Sequence, residues 1–391
     1  MKIAIIGLGH VDGILPLALE MAKKDHNIYI YFLFNQKHKI ESIINFQHTR
    51  VKNGFVNRDR VKKILGPRIN KSLNDKININ IFILNSPKIY DYKNIILLYR
   101  LSRKVISQNF DVVNINGNNV LEGFLHLFLR NMPRIHTIHD PLPHSGEGGR
   151  FALQRNLLLS KMNTEFVFHA DALQKQYKEV FKVDPDRMHS ILYGSLDFYK
   201  LFKTNGAIKS EDPVILFYGR IAKYKGIEYL VKAFKIVQKE VPKINLIIAG
   251  RGDFYFDVKK IYNNKNIKIE NRYMDNKELV SLIQKAWLVV CPYTDATQSG
   301  VVLTSYAFNT PVVATNVGGI PEVVIDNETG VLVPPKNSQA LAEALARLIN
   351  NAEEISRMEK NIEQVKKDGK ISWNKIANQT LKVYQKAIRS S

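Results

Sequence analysis

Short β-branched runs alternate with helix-like segments along this chain, stop at a polar break, and then begin again. "KIAIIGLG", "NIYIYFLF", "INIFIL", "FDVVNING", "RIHTIHD" and "TEFVFHA" read as strands, with "ILPLALEMAKK", "IILLYRLSRKVISQ" and "NVLEGFLHLFLRN" between them. The second series is "DPVILFYGR", "KINLIIAGRG", "NIKIENRY", "AWLVVCPY", "PVVATN" and "TGVLVPP", again separated by helical patterns. Continuous apolar runs fed by helices predict parallel sheets covered on both faces. The expected fold class is therefore α/β, with two Rossmann-like doubly wound domains, a number that suits 391 residues. The break falls near "FYKLFKTNGAIKSEDP", where Gly206 and Pro213 interrupt the periodic pattern. It predicts an N-terminal domain over 1–205 and a C-terminal domain over 206–374. The closing "ISWNKIANQTLKVYQKAIRSS" has no strand to feed, so a helix over about 375–391 is expected to pack back on the first domain. Open parallel sheets bind ligands beyond the carboxyl ends of their strands, and two of them place the main site in the cleft where they face.

The first strand runs into Gly7, Gly9 and Gly13, which looks like a dinucleotide cradle. That pattern wants glycines at 7, 9 and 12, but position 12 is Asp12, whose carboxylate would repel a pyrophosphate. The second strand ends in Asn35 and lysines, without the acid that holds an adenosine ribose. The architecture is Rossmann-like, and the ligand chemistry is not.

A better anion site lies in "CPYTDATQSGVVLTSYAFNTPVVATNVGGIPEVVIDNETGVLVPP". A strand ends at Pro292, a polar loop follows, and a helix begins near Gly300. Thr297, Gln298 and Ser299 then sit where free N–H groups and the positive helix end gather, as a diphosphate requires. Thr304, one turn on, would reach an attached ribose. The plain alternative is that "TQSG" only caps a helix. Arg220 and Lys225 flank a turn after the strand "DPVILFYG", and both cations can reach one phosphate-sized target.

The stretch "SGVVLTSYAFNTPVVATNVGGIPEVVIDNETGVLVPP" resembles the donor region of the retaining GT-B glycosyltransferases of family 4, and "FYGRIAKYKGIEYLVKAF" resembles their G-R-x-x-x-x-K-G block. "LIIAGRGD", "IENRYMDNKELVSLIQKAWLVVCPY" and "SWNKIANQTLKVY" extend the likeness over nearly the whole C-terminal half. The resemblance implies a nucleoside diphosphate sugar as co-substrate, with no other cofactor and no metal. It implies donor contacts from Gly219, Gly250, Arg251, Arg272, Tyr273, Asp295, Thr297, Gln298, Ser299, Gly300, Val301 and Thr304. Arg220 and Lys225 would stabilise the departing diphosphate. One departure stands out. The family's paired glutamates fall here on Ala296 and Thr304, with Asp295 beside the first.

In the N-terminal half, "RIHTIHDPLPHSGEGGR" follows a strand end. By the same resemblance, His139 and Asp140 lie near the reacting carbon, with His144 and Arg150 further out. The glycine loop, through Gly9, His10, Asp12 and Gly13, would face the acceptor. These residues would position groups and shape the field, since such enzymes lack a convincing protein nucleophile. Asp184-Pro185-Asp186 reads as turn chemistry rather than a metal motif. "FVFHADALQKQY" offers His169 at another strand end, for which a structural role is favoured.

The formal net charge of +21 calls for an anionic partner or substrate. The lysines are scattered and no nucleic-acid module is present, so nucleic acid is not the expected partner. A glycan or lipid-linked acceptor at an anionic membrane face fits better. One cysteine, Cys291, excludes a disulfide framework, and the opening lacks a signal-peptide pattern. The expected location is cytoplasmic, at the inner face of the membrane. Two rivals stay open: a degenerate, non-catalytic subunit that binds polyanions or a partner transferase, and a nicotinamide-dependent oxidoreductase using the first glycine loop.

Overall fold

The structure is a computed structural model and describes residues 1–391 apart from 38–39, 42, 48, 89–90, 118, 143–149, 205, 207 and 391. It divides into two compact units, Met1–Tyr193 with Trp373–Ser391, and Gly194–Ser372.

The first unit runs β1 (Lys2–Leu8), α1 (Val11–Lys23), β2 (Asn27–Asn35), β3 (Ile40–Glu41), β4 (Ile44–Asn45), β5 (Gly54–Phe55), α2 (Arg58–Ser72), β6 (Ile77–Leu84), α3 (Tyr92–Ile106), β7 (Val112–Gly117), α4 (Glu122–Phe128), β8 (Arg134–Ile138), α5 (Arg150–Ser160), β9 (Glu165–Phe168), α6 (Asp171–Phe181) and β10 (Met188–Ser190). Its sheet has the order β10-β9-β8-β7-β1-β2-β6-β5, parallel except for the edge strand β5. Strands β7, β8 and β9 are buried along their whole length, and the polar residues within them, such as Asn114, Asn116 and His136, are buried too. Leu97, Leu98, Leu101 and Val105 of α3 and Leu125 of α4 bury against Ile6, Tyr31, Phe82 and Ile115 of the sheet.

The second unit runs β11 (Val214–Tyr218), α7 (Ile227–Glu240), β12 (Asn245–Ala249), α8 (Lys259–Tyr262), β13 (Ile267–Glu270), α9 (Asn276–Lys285), β14 (Leu288–Cys291), α10 (Gly300–Ala307), β15 (Val312–Thr315), α11 (Ile320–Val323), β16 (Gly330–Val333), α12 (Ser338–Ile349) and α13 (Ala352–Asp368). All six strands are parallel in the order β13-β12-β11-β14-β15-β16. That is the doubly wound order, and it reverses direction between β11 and β14. The first unit reverses in the same way between β1 and β7. Side-chain caps start many of the helices. Asp275, for example, accepts from the Glu278 N–H in a full capping box at α9.

The final helix, α14 (Trp373–Arg389), packs on α1 and along β7 and β8. Its Tyr384 hydroxyl accepts from the Asn114 amide at 2.7 Å. The first unit ends at Tyr193 rather than at 205, and the second at Ser372 rather than 374. The reason is local. The 3₁₀ segment Asp197–Phe202 packs on α9 and α10, and the Leu196 N–H donates to the Leu303 carbonyl. Strands β3, β4, β5 and β10 had no sequence signal, since two or three residues cannot display a period.

Candidate functional site

In the second unit, the chains leaving β11, β12 and β13 stay hydrogen-bonded beyond the strand ends. The Gly219 N–H donates to Ala249, Gly250 to Glu270, and Ile221 to Arg251. This close approach depends on glycine. Gly250 sits at φ 150°, and a Cβ there would overlap the Gly219 carbonyl. At Gly252, φ 154°, a Cβ would overlap the Ile221 carbonyl. The result is a cavity of about 650 Å³ at the ends of these three strands. Gly219, Arg220, Gly250, Arg251, Arg272 and Tyr273, all expected from the sequence, line it together.

Of the expected cations, Arg220 lines this cavity and Lys225 follows it in the next 3₁₀ turn. Lys225 Nζ lies 3.6 Å from the centre of the Tyr293 ring. Arg220 Nη2 donates to the Tyr224 hydroxyl at 3.1 Å. The Tyr224 carbonyl in turn accepts the Thr294 N–H at 2.8 Å, which ties this turn to the loop leaving β14. Cation–π contact of this kind fixes an ammonium without neutralising it.

That loop ends on Ser299, whose hydroxyl accepts from the Val302 N–H and caps α10. Asp295, Thr297 and Gln298 are half-buried along it. The Gly319 N–H donates to the Thr297 carbonyl, and the backbone at Gly318 passes directly under Ala296. Gly300 is exposed with open space before it, and a Cβ on Gly219 would come 3.7 Å from Val301. The first-turn amides of α10 thus lie beside the strand-end glycines, where a helix leaves its N–H groups without intrahelical partners.

Two of the expected donor residues make other bonds in this structure. Arg272 holds a two-pronged pair with Glu278, at 3.0 and 2.8 Å, and reaches Glu270 with Nε at 3.2 Å. Its side-chain hydrogen bond to Glu278, more than any other factor, pushes its pKa up, and the guanidinium is fully engaged on its own loop. Thr304 is buried, and its hydroxyl donates to the Gly300 carbonyl at 2.7 Å, so it offers no proton to a ribose. Ala296, the other position of the absent acid pair, is buried as well.

The strand ends of the first unit are closed instead of open. His10, at φ 57° before α1, stacks on His139 with ring centres 3.3 Å apart and planes 3° from parallel. His139 Nε2 meets Asn116 Oδ1 at 2.8 Å, so that nitrogen carries the proton when the amide oxygen accepts. His169 lies 4.7 Å from His139, ring to ring, and its Nδ1 meets the Ile191 carbonyl at 2.9 Å. Tyr193 meets the edges of both rings. Burial first, and then the neighbouring His169, lowers the His10 pKa to about 3. Burial lowers His169 to about 4, and holds His139 well below the usual imidazole value with help from His10 and His169. All three rings are neutral near pH 7.

Gly13 is packed too. A Cβ there would overlap the Tyr193 hydroxyl, so packing alone accounts for this glycine. Asp12 sits half-buried in the first turn of α1, and Gly9 turns at φ 106°. Asp140 is half-buried at the end of the His139 strand. His144 lies outside the described residues. Asp184 accepts from the Asp186 N–H and caps a 3₁₀ turn. Among the described residues, no group of three or more His, Cys, Asp or Glu could hold a metal ion.

Sequence reasoning missed Asn116, Tyr193 and Tyr293, and set His169 aside. The available signal was a polar residue inside an apolar strand: Asn116 in "VVNING" is buried and points at His139. Behind these strand ends lies a buried network. Arg155 reaches Glu122 at 3.4 Å and Asn156 at 3.0 Å, and the Asn156 amide donates to the Pro141 carbonyl at 2.9 Å. It anchors the chain just after His139 and Asp140.

Residues 200–365 match the family described as Glycosyl transferases group 1. An uncharacterised glycosyltransferase of Methanocaldococcus jannaschii is 27% identical over 234 residues, which are 56% of this chain and 58% of that protein. The alpha-D-kanosaminyltransferase of Streptomyces kanamyceticus is 26% identical over 202 residues, 49% of this chain and 52% of that one. The chain spans about half the length of these curated relatives. Among solved structures, HepE of Anabaena in complex with UDP and glucose superimposes with a TM-score of 0.66 at 16% identity, covering 98% of this chain and 99% of that one. The likeness is one of fold, the GT-B architecture.

Proposed function

Since residues 200–365 form a group 1 glycosyltransferase domain within a GT-B fold, we propose that the protein transfers a sugar from a nucleoside diphosphate donor to an acceptor, with retention of configuration. One observation carries this reading. A cavity at the ends of β11, β12 and β13 is lined by Gly219, Gly250 and Gly252 together with Arg220, Gly219 lies against Val301 in the first turn of α10, and Lys225 is held on Tyr293. The diphosphate rests on the α10 amides, and Arg220 and Lys225 meet the charge that grows on it as the sugar departs. In that step the bond from the anomeric carbon to the diphosphate oxygen breaks. The bond to the acceptor oxygen forms on the same face, and the acceptor proton passes to the departing diphosphate. No protein nucleophile is needed. His139, neutral and fixed by Asn116, orients hydroxyls and carries no charge of its own.

The acceptor side belongs to the first unit, through His10, Asp12, His139 and Asp140. We assign it a glycan or lipid-linked acceptor, in the assembly of a bacterial surface polysaccharide at the cytoplasmic face of an anionic membrane. The net charge of +21 supports that setting. No helix among the described residues is long and apolar enough to cross a membrane.

The inward-turned Thr304 supports a second reading, a subunit that binds donors without turning them over. A panel of nucleotide sugars, with and without a chelator, separates the two. Slow donor hydrolysis with at least one donor, unaffected by chelation, is the expected outcome. Binding without hydrolysis would favour the second reading, and no binding at all would defeat both.

A further inference from the structure

The outer faces of α3, α4 and α5 carry a feature that the transfer reaction does not use. On α3, Leu97, Leu98, Leu101 and Val105 already fill the core, yet Tyr92, Ile96, Tyr99 and Ile106 point outward. At 3.6 residues per turn these four fall within roughly a quarter of the helix surface. Leu127 on α4 and Leu153, Leu157 and Leu158 on α5 are exposed as well, and the side chains of the whole set are between 38% and 65% exposed. The elements are continuous. The Tyr99 ring meets Phe128 edge-on at 5.6 Å, and Leu158 lies over Gly123, 3.9 Å from where a Cβ would be. Soluble proteins seldom expose so much contiguous apolar surface without a partner for it.

Among the described residues the exposed charges within these three helices are all positive, although Asp91 caps the start of α3. Helices α3 and α5 contain no Asp or Glu, and the one acid of α4, Glu122, is fully buried. Arg100, Arg103, Lys104, Arg130 and Lys161 are exposed, and none has a carboxylate within ion-pair distance among the described residues. We propose that the α3–α4–α5 face is a docking surface for an anionic lipid bilayer, with Tyr92, Ile96, Tyr99 and the α5 leucines entering the interface and the five cations meeting headgroups. A second copy of the chain fits poorly, because a two-fold contact would press these cations against themselves. The proposal deepens the lipid-linked acceptor reading and rests on it. Helix α5 joins the two: its inner side ties Asn156 to the Pro141 carbonyl beside His139, while its outer side carries the leucines.

The test is co-sedimentation of the full chain with vesicles of phosphatidylcholine alone or mixed with phosphatidylglycerol. Wild type should pellet with the anionic vesicles, stay in solution with the neutral ones, and be released by high salt. Joint Arg100→Glu, Arg103→Glu and Lys104→Glu substitution should weaken binding about tenfold or more, and so should Leu157→Ser with Leu158→Ser. Nucleoside diphosphate affinity, measured by calorimetry on every variant, should stay at the wild-type value, which also shows that the variants fold. Equal binding to both vesicle types, or variants that bind as wild type does, would overturn the proposal. So would a dimer split by these substitutions in a protein that ignores vesicles. Any of these with donor binding intact leaves the transferase reading standing, whereas lost donor binding in wild type strikes that reading instead.

Discussion

Both units of this protein reverse strand order at one point, yet they treat that point in opposite ways. Between β1 and β7 the ground is filled with side chains: His10 stacks on His139, His169 and Tyr193 pack beside them, and Tyr193 rests on Gly13. In the second unit the ends of β11, β12 and β13, on one side of that point, are left open, floored by glycine backbone and edged by Arg220 and Arg251. Topology thus marks where a ligand can bind, and the side chains decide whether one does. A neutral, packed cluster suits orienting hydroxyls. An open, cationic one suits a diphosphate.

The largest effect expected from this contrast is on chemistry. Lys225→Ala should lower kcat for donor hydrolysis by about 10²–10³, the usual loss when one fixed donor to a developing oxyanion is removed. Steady-state rates with a single donor check it. His139→Ala should leave donor affinity unchanged, and the reverse pattern would exchange the roles of the two units.

Acid should expose the contrast next. All ten histidines precede Gly194, so they belong to the first unit. His10 and His169 titrate near 3 and 4 when folded and near 6.5 when unfolded. The unfolded chain therefore binds more protons as pH falls below about 6.5, and the stabilisation present above that value is lost progressively down to the folded pKa values. For buried His169 alone the loss is on the order of 3 kcal/mol. Hydrogen exchange read segment by segment from about pH 7 to about pH 4 should show the first unit opening while the second stays protected. Uniform loss across both units would blur the comparison.

The smallest effect concerns Arg272. Its fork is taken by Glu278 and Glu270 on an exposed loop, where solvent screens the pair, so Arg272→Ala should leave the midpoint of a denaturant titration nearly unchanged. Donor KM should stay within about threefold of wild type. A large rise in KM would mean that a ligand releases the guanidinium from its acids.

Much of this was legible in the sequence. The strand rhythm predicted both sheets, because strands buried on two faces are dominated by β-branched and other apolar residues. Gly219 and Gly250 were legible only through the family resemblance, and the structure supplies the reason for Gly250, where a Cβ would overlap the Gly219 carbonyl. Arg272 lines the cavity as expected, but its carboxylate partner was not legible, because a strand-end arginine looks the same whether it faces a ligand or an acid six residues on. Gly13 was misread because its partner, Tyr193, is remote in sequence. Thr304 had the right position, but its hydroxyl bonds back one turn, as helical threonines often do. The α3 stripe gave no separate signal, since a helix apolar on both faces looks merely hydrophobic.

The central claim is that the nucleotide belongs to the second unit. Calorimetric titration with uridine and guanosine diphosphates, on wild type and on Arg220→Ala and His10→Ala variants, tests it most directly. Saturable binding of one nucleotide, weakened at least tenfold by Arg220→Ala and untouched by His10→Ala, is the predicted result. Binding that ignores Arg220 and collapses with His10 would contradict it and return the nucleotide to the first glycine loop.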